Sequence, residues 1–134
     1  MIVLDASAAL ARLLPSQSTP ASLAFFSTEL PHLIAPAIFE FEARNALLRA
    51  ERRGFAYPDV VDEASEQLAL MVELQPWATG NTARLLNLAR REILSLFDAA
   101  YLDLARVEGA ALASRDGPLL AAAARLGVPT HDLR

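Results

Sequence analysis

Very short apolar runs alternate along this chain with longer stretches of helical periodicity, and that alternation leaves few architectures open. Met1–Leu4, His32–Ala35, Glu73–Trp77, Ala110–Ser114 and Val128–His131 read as strands. Between them, helices are expected over Ser7–Leu14, Ala21–Leu30, Ala37–Arg53, Asp59–Val72, Thr79–Glu92, Ser95–Glu108 and Asp116–Leu126. Ser7 is the expected N-cap of the first helix, Pro15–Pro20 a loop, and Gly54, Gly109 and Gly127 helix stops. Apolar strands that alternate with helices are buried on both faces, so they assemble as a parallel sheet with helices on either side. The expectation is therefore one three-layer α/β/α domain over residues 1–134, with a central parallel sheet of four to five short strands. Repeats, linkers and low-complexity segments are absent from the sequence.

Composition narrows the chemistry. All 12 basic residues are Arg, so mechanisms that need a Lys are excluded, including the Walker A phosphate loop and Schiff-base catalysis. With no Cys, disulfides and thiolate metal sites are excluded as well. The N-terminus lacks the pattern of a signal peptide, and no apolar run reaches the roughly 18 residues of a membrane helix; a cytoplasmic protein without a membrane partner is expected. A net charge of −4 argues against a general nucleic-acid coat, yet not against an acidic site that receives phosphate through bound cations.

In a parallel sheet, ligands bind beyond the carboxyl ends of the strands. Two acids fall there: Asp5 directly after the first strand, and Asp116 after the strand at Ala110–Ser114. Each also has an ordinary reading, Asp5 as a helix N-cap and Asp116 as a turn or cap residue before Gly117-Pro118. Glu42 shares the inward side of its helix with Asn45, opposite a solvated face of Glu40, Arg44 and Glu51. Its ordinary reading is a salt bridge to Arg49. Asp98 forms a capping-box pattern with Ser95, and a first-turn acid also suits the helix dipole. Asp103, Asp59, Asp62, Glu63, Glu66 and Asp132 read as solvated charges. His32 and His131 are isolated and read as structural, and Phe25, Phe26, Trp77, Leu85 and Leu86 as core or interface.

Taken as a set, Asp5, Glu42, Asp98 and Asp116 have a shared logic. Carboxylates that converge repel one another unless a cation lies between them, and hard divalent ions prefer oxygen ligands. Such ions clamp a phosphodiester and activate water. Asn45 and the hydroxyls of Ser7 and Ser114 are placed to hold the ligands by hydrogen bonds.

Four segments carry a family resemblance. They are Met1–Leu10 (MIVLDASAAL), Glu42-Ala43-Arg44-Asn45-Ala46-Leu47, Phe97-Asp98-Ala99-Ala100-Tyr101 with the residues that follow, and Ala111-Leu112-Ala113-Ser114-Arg115-Asp116. In order and spacing they resemble the motifs of PIN-domain ribonucleases, in particular the VapC-type toxins of VapBC toxin–antitoxin systems, and the likeness spans the whole chain. It implies that Asp5, Glu42, Asp98 and Asp116 bind Mg²⁺ or Mn²⁺ and cut RNA. It also implies a homodimer and a cognate antitoxin, for which the Leu23, Phe25, Phe26 and Leu30 region offers a groove. In one departure, Gly117-Pro118 stands where family members often carry basic residues. Arg84, Arg90, Arg91 and Arg115 are the alternative RNA contacts. A processing nuclease without a toxin role, or a binding module that no longer cuts, are the remaining readings. A receiver domain would need a Lys, a haloacid-dehalogenase-type phosphatase a second acid two residues after Asp5, and a dinucleotide-binding module a Gly-rich first turn.

Overall fold

The computed structural model describes residues 1–29, 31–76 and 82–134. Five strands, β1 (Ile2–Leu4), β2 (Leu33–Pro36), β3 (Glu73–Gln75), β4 (Ala111–Ser114) and β5 (Thr130–Asp132), form one parallel sheet in the order β3-β2-β1-β4-β5. Ile2 pairs with Leu33 on one side and with Ala111 on the other, which makes β1 the central strand.

The strand order dictates the layers. Two crossovers step outward from β1 to β2 and β3, carrying α1 (Ala6–Leu13), α2 (Pro20–Phe26), α3 (Phe39–Arg52) and α4 (Pro58–Met71). The next step runs back across the sheet to β4 and on to β5, carrying α5 (Thr82–Glu92), α6 (Leu96–Glu108) and α7 (Gly117–Arg125). Right-handed crossovers that reverse direction place the two helix groups on opposite faces. The reversal falls between β1 and β4, so their carboxyl ends part there and leave a crevice.

The core is built for close approach. Val3, Leu4, Leu112 and Ala113 of the central strands are fully buried. Ala8 and Ala9 of α1, Ala99 of α6 and Ala122 and Ala123 of α7 are buried in the same cluster. Alanine side chains let helix backbones lie near the sheet without loss of helix propensity. Larger side chains, among them Phe39, Leu47, Leu68 and Leu102, fill the space farther out.

Most boundaries follow local chemistry. Gly54 and Gly109 end α3 and α6 at φ +77° and +61°, a region that glycine enters without strain. Two expectations needed correction. Ser7 does not cap α1: Asp5 does, accepting from the Ala8 amide at 2.8 Å, and Ser7 lies in the first turn. The second helix starts at Pro20 and ends at Phe26, because Thr19 and Ser22 form a reciprocal capping box ahead of it. The expected loop at 15–20 holds a turn of 3₁₀ helix at Pro15–Gln17. Leu30, Trp77 and Thr79 lie outside the described residues.

Truncation at the middle of the sheet should be costly. Leu112→Ala is expected to lose about 2–5 kcal/mol of stability, from lost burial and the cavity left behind. Urea unfolding followed by circular dichroism measures it; a loss well below 1 kcal/mol contradicts the assignment of β4 to the core.

Candidate active site

The crevice at the carboxyl ends of β1 and β4 is a cleft of about 270 Å³. Asp5, Glu42, Asp98 and Asp116 all line it, together with Ser7, Gln17, Arg49 and Arg115. Each acid arrives by a different local rule. Asp5 ends β1 and caps α1; Asp116 ends the β4 turn and caps α7 through the Leu119 amide at 2.8 Å. Asp98 sits in the first turn of α6, where its own amide donates to the Ser95 hydroxyl at 3.0 Å. Glu42 enters from the first turn of α3.

Asp5 is the most constrained of the four, with only 3% of its surface exposed. Its Oδ1 accepts from the Ser7 hydroxyl at 2.8 Å as well as from Ala8, and its Oδ2 accepts from the Ser114 hydroxyl at 2.6 Å. The serines are positioned in turn. The Arg115 amide donates to Ser7 Oγ and the Asp116 amide to Ser114 Oγ, both at 2.9 Å. Two hydroxyls thus tie the end of β1 to the end of β4 across the switch point. Burial still pushes the Asp5 carboxyl up to about 6, against the lowering effect of these bonds, and the charge of Asp98 adds to the rise.

Glu42 is less well supplied. Its Oε2 is buried with no hydrogen-bond partner among the described residues. Burial and then the charges of Asp98, Asp5 and Asp116 raise its carboxyl to about 7, with Arg49 pulling the other way. Arg49 lines the same cleft but makes no ion pair with Glu42 among the described residues, so the simple salt-bridge reading does not account for the placement. Asp98 is raised too, by burial first and by Asp116 next.

The other expected site residues divide. Ser7 and Ser114 hold Asp5, and Arg115 lies in the cleft with Nη1 donating to Gln17 Oε1 at 3.1 Å. Asn45 is exposed and does not line the cleft; Ala46 and Arg49, four and seven residues after Glu42, share its helix face instead. Arg84 belongs to another cavity. Its guanidinium forks onto Asp103 with contacts of 3.1 and 2.7 Å, and Asp103 is buried rather than solvated. Arg90 bonds Asn87 on the exposed side of α5, and neither it nor Arg91 reaches the cleft. Phe25 packs against His131 and Phe26 against Phe25, with ring centroids 5.1 and 4.9 Å apart.

Gln17 and Arg49 line the cleft although the sequence did not assign them to the site, and Tyr101, outside that lining, lies close enough for the charges of the acids to act on it. Arg49 was visible by its i+7 spacing from Glu42, but there it serves equally as a counter-ion. Tyr101, one turn after Asp98, is completely buried, and its hydroxyl has no partner among the described residues. Burial, then the charges of Glu42, Asp5 and Asp98, raises its ionisation far above the ordinary phenol range. The phenol therefore stays protonated and neutral.

As the side chains stand, no group of three or more acid or histidine residues among those described is arranged to hold a metal ion. The donor chemistry nevertheless suits a hard divalent cation. The acids that line the cleft are all carboxylates, Glu42 Oε2 lacks a partner, and the charges oppose one another's ionisation.

The chain belongs to the PIN domain family, whose match spans residues 2–125. No curated protein sequence matches it closely enough to count as a relative. Among solved structures, it is similar to the protein PAE2754 of Pyrobaculum aerophilum, with a TM-score of 0.70 and 21% identity over 96% of this chain and 82% of that one. It is similar also to VapC20 of Mycobacterium tuberculosis, a toxin that cleaves the sarcin–ricin loop (TM-score 0.65, 18% identity, 91% of this chain and 95% of that one). A third is FitAcB of Neisseria gonorrhoeae (TM-score 0.66, 20% identity, 98% and 97%). These likenesses establish a shared fold.

Raised carboxyls make a signed prediction for the metal-free protein. Asp5 and Glu42 bind protons more tightly folded than unfolded, where they titrate near 4. Stability should therefore fall as pH rises from about 4 through 7, and level off above that. Glu42→Gln should raise the melting temperature at pH 8 in EDTA and flatten the pH dependence. Thermal melts across pH decide it; a Gln variant less stable than wild type at pH 8 means that Glu42 is a structural ion-pair partner.

Proposed function

We propose that the protein is a divalent-metal-dependent endoribonuclease acting as the toxin of a toxin–antitoxin pair. The observation that carries this reading is the convergence of Asp5, Glu42, Asp98 and Asp116, from four separate elements, on one cleft at the switch point. A fold needs no such arrangement, because the four charges oppose one another. A nuclease does, because phosphodiester cleavage calls for cations held where the phosphate sits.

In this reading Asp5, Glu42, Asp98 and Asp116 hold Mg²⁺ or Mn²⁺. When bound, the ion polarises the scissile phosphate and lowers the pKa of an attacking water. The protein's own contribution is orientation. Ser7 and Ser114 fix both oxygens of Asp5, the Ser95 hydroxyl holds the Asp98 amide, and the Leu119 amide holds Asp116 Oδ1. Burial of Asp5 and Glu42 keeps the cleft floor at low dielectric, which strengthens any cation held there.

The toxin role draws on VapC20, a toxin of the same fold. The resemblance to VapC-type toxins adds a homodimer and a cognate antitoxin that covers apolar surface near the site. Leu23, 62% exposed, and the half-buried Phe26 line a groove between α1 and α2 that suits such a partner. Among the described residues no helix is long and apolar enough to cross a membrane.

Purified protein should cleave single-stranded RNA with Mn²⁺ and not in EDTA. Asp98→Asn should lower the rate on the order of a hundredfold or more while the circular dichroism spectrum is unchanged. Ser114→Ala, which leaves Asp5 Oδ2 without its partner, should cost roughly 10–100-fold. Wild-type protein that binds no Mn²⁺ in calorimetry and cuts no RNA ends the nuclease reading in favour of a binding module.

A further inference from the structure

The chain has 12 arginines and no other strong cation, so their placement decides where an RNA backbone can be gripped. Several are committed elsewhere. Arg84 is forked onto Asp103, Arg125 onto Glu92 and Arg134 onto Asp132. Arg44 is held by Ser65 and the Glu40 carbonyl, and Arg12 lies over the Phe26 ring. Among the described residues, Arg49 and Arg115 are the arginines that line the acidic cleft.

These two enter from different elements, Arg49 from α3 and Arg115 from the turn between β4 and α7. Arg49 is exposed and makes no hydrogen bond or ion pair among the described residues. Arg115 is half-buried and directed. Gln17 takes one of its donors, while Nε is buried with no acceptor, so the guanidinium is held in place with donors to spare. A planar fork of this kind matches phosphate oxygens. The surroundings also set the timing. Four carboxylates repel a polyanion and attract the two guanidiniums. Once divalent cations neutralise the acids, the arginines are the cationic side chains left on the cleft wall.

We infer that Arg49 and Arg115 form a phosphate subsite, gripping the RNA backbone beside the bond that lies over the carboxylates. The inference rests on the nuclease reading and adds the means of strand binding to it. It places that binding at the cleft and not along the arginines of α5. It also explains how a chain with Gly117-Pro118 after its fourth acid still meets phosphate: the cations come from the residue before that acid and from α3.

Steady-state cleavage of a mixed-sequence single-stranded oligoribonucleotide with Mn²⁺ tests it, at several salt concentrations, in wild type, Arg49→Ala, Arg49→Lys and Arg115→Lys. Arg49→Ala should raise KM about tenfold with kcat nearly unchanged, the loss of one charge-assisted contact. Its log(kcat/KM) should fall less steeply with salt, by about 0.7, as one phosphate contact on a single strand disappears. Arg49→Lys should recover the salt slope, and Arg115→Lys should raise KM by losing the fork. Mn²⁺ affinity, measured by calorimetry without RNA, should be unchanged or tighter in Arg49→Ala, since a cation beside the acids has gone. Weakened Mn²⁺ binding with an unchanged salt slope would show a counter-ion that organises the acids, and overturns the subsite. Wild-type KM and salt slope in both Arg49→Ala and Arg115→Lys overturn it as well. A wild-type protein that cuts no RNA removes the nuclease reading itself, and this inference with it.

Discussion

A carboxylate buried at the end of the central strand is the constraint around which this molecule is organised. Left unpartnered, Asp5 would be too costly to bury. Its two oxygens instead accept from one backbone amide and two hydroxyls, drawn from α1 and from the last residue of β4. Those hydroxyls in turn accept the Arg115 and Asp116 amides. One small network therefore caps α1, joins the two central strands where their crossovers diverge, and orients the turn that leads into α7. Removing the charge disturbs all three, so the residue is at once structural and part of the cleft.

Stability and site are spatially separated. The middle of the sheet, with Val3, Leu4, Leu112 and the alanine-faced helices, is apolar and densely buried. The carboxyl edge carries the opposing charges, the partnerless Glu42 oxygen and the buried Tyr101 hydroxyl. Each of these is unfavourable where it stands. Their concentration at one end matches the general pattern in which departures from local consistency collect at functional sites. The apolar core offsets them without being interrupted by them.

Much of this was legible in the residues. The alternation of strand-like and helical runs identified a parallel sheet, and Ser95 with Asp98, Gly54 and Gly109 marked helix ends through local hydrogen bonding and backbone freedom that need no tertiary partner. Helical spacing turned Glu42 away from Glu40, Arg44 and Glu51. The same spacing misled for Asn45: it lies three residues from Glu42, yet the cleft follows Ala46 and Arg49 at four and seven. Asp103 was also illegible. Nothing local distinguishes an acid in solvent from one met by Arg84, 19 residues earlier in the chain.

The elements, their order and the residue types available for chemistry follow from the residues alone, because periodicity, caps and composition are local or additive. Composition also excluded Lys- and Cys-based mechanisms outright, since those side chains are absent. Which acids meet was settled by the packing of the strands. Asp5 and Asp116 are more than a hundred residues apart, and they share a cleft because β4 pairs beside β1 and not at an edge. The tertiary structure decided as well that Arg84 is spent on Asp103 whereas Arg49 and Arg115 face the acids. Charge pairing depends on distance through space, and that distance exists only once the strands have chosen their neighbours.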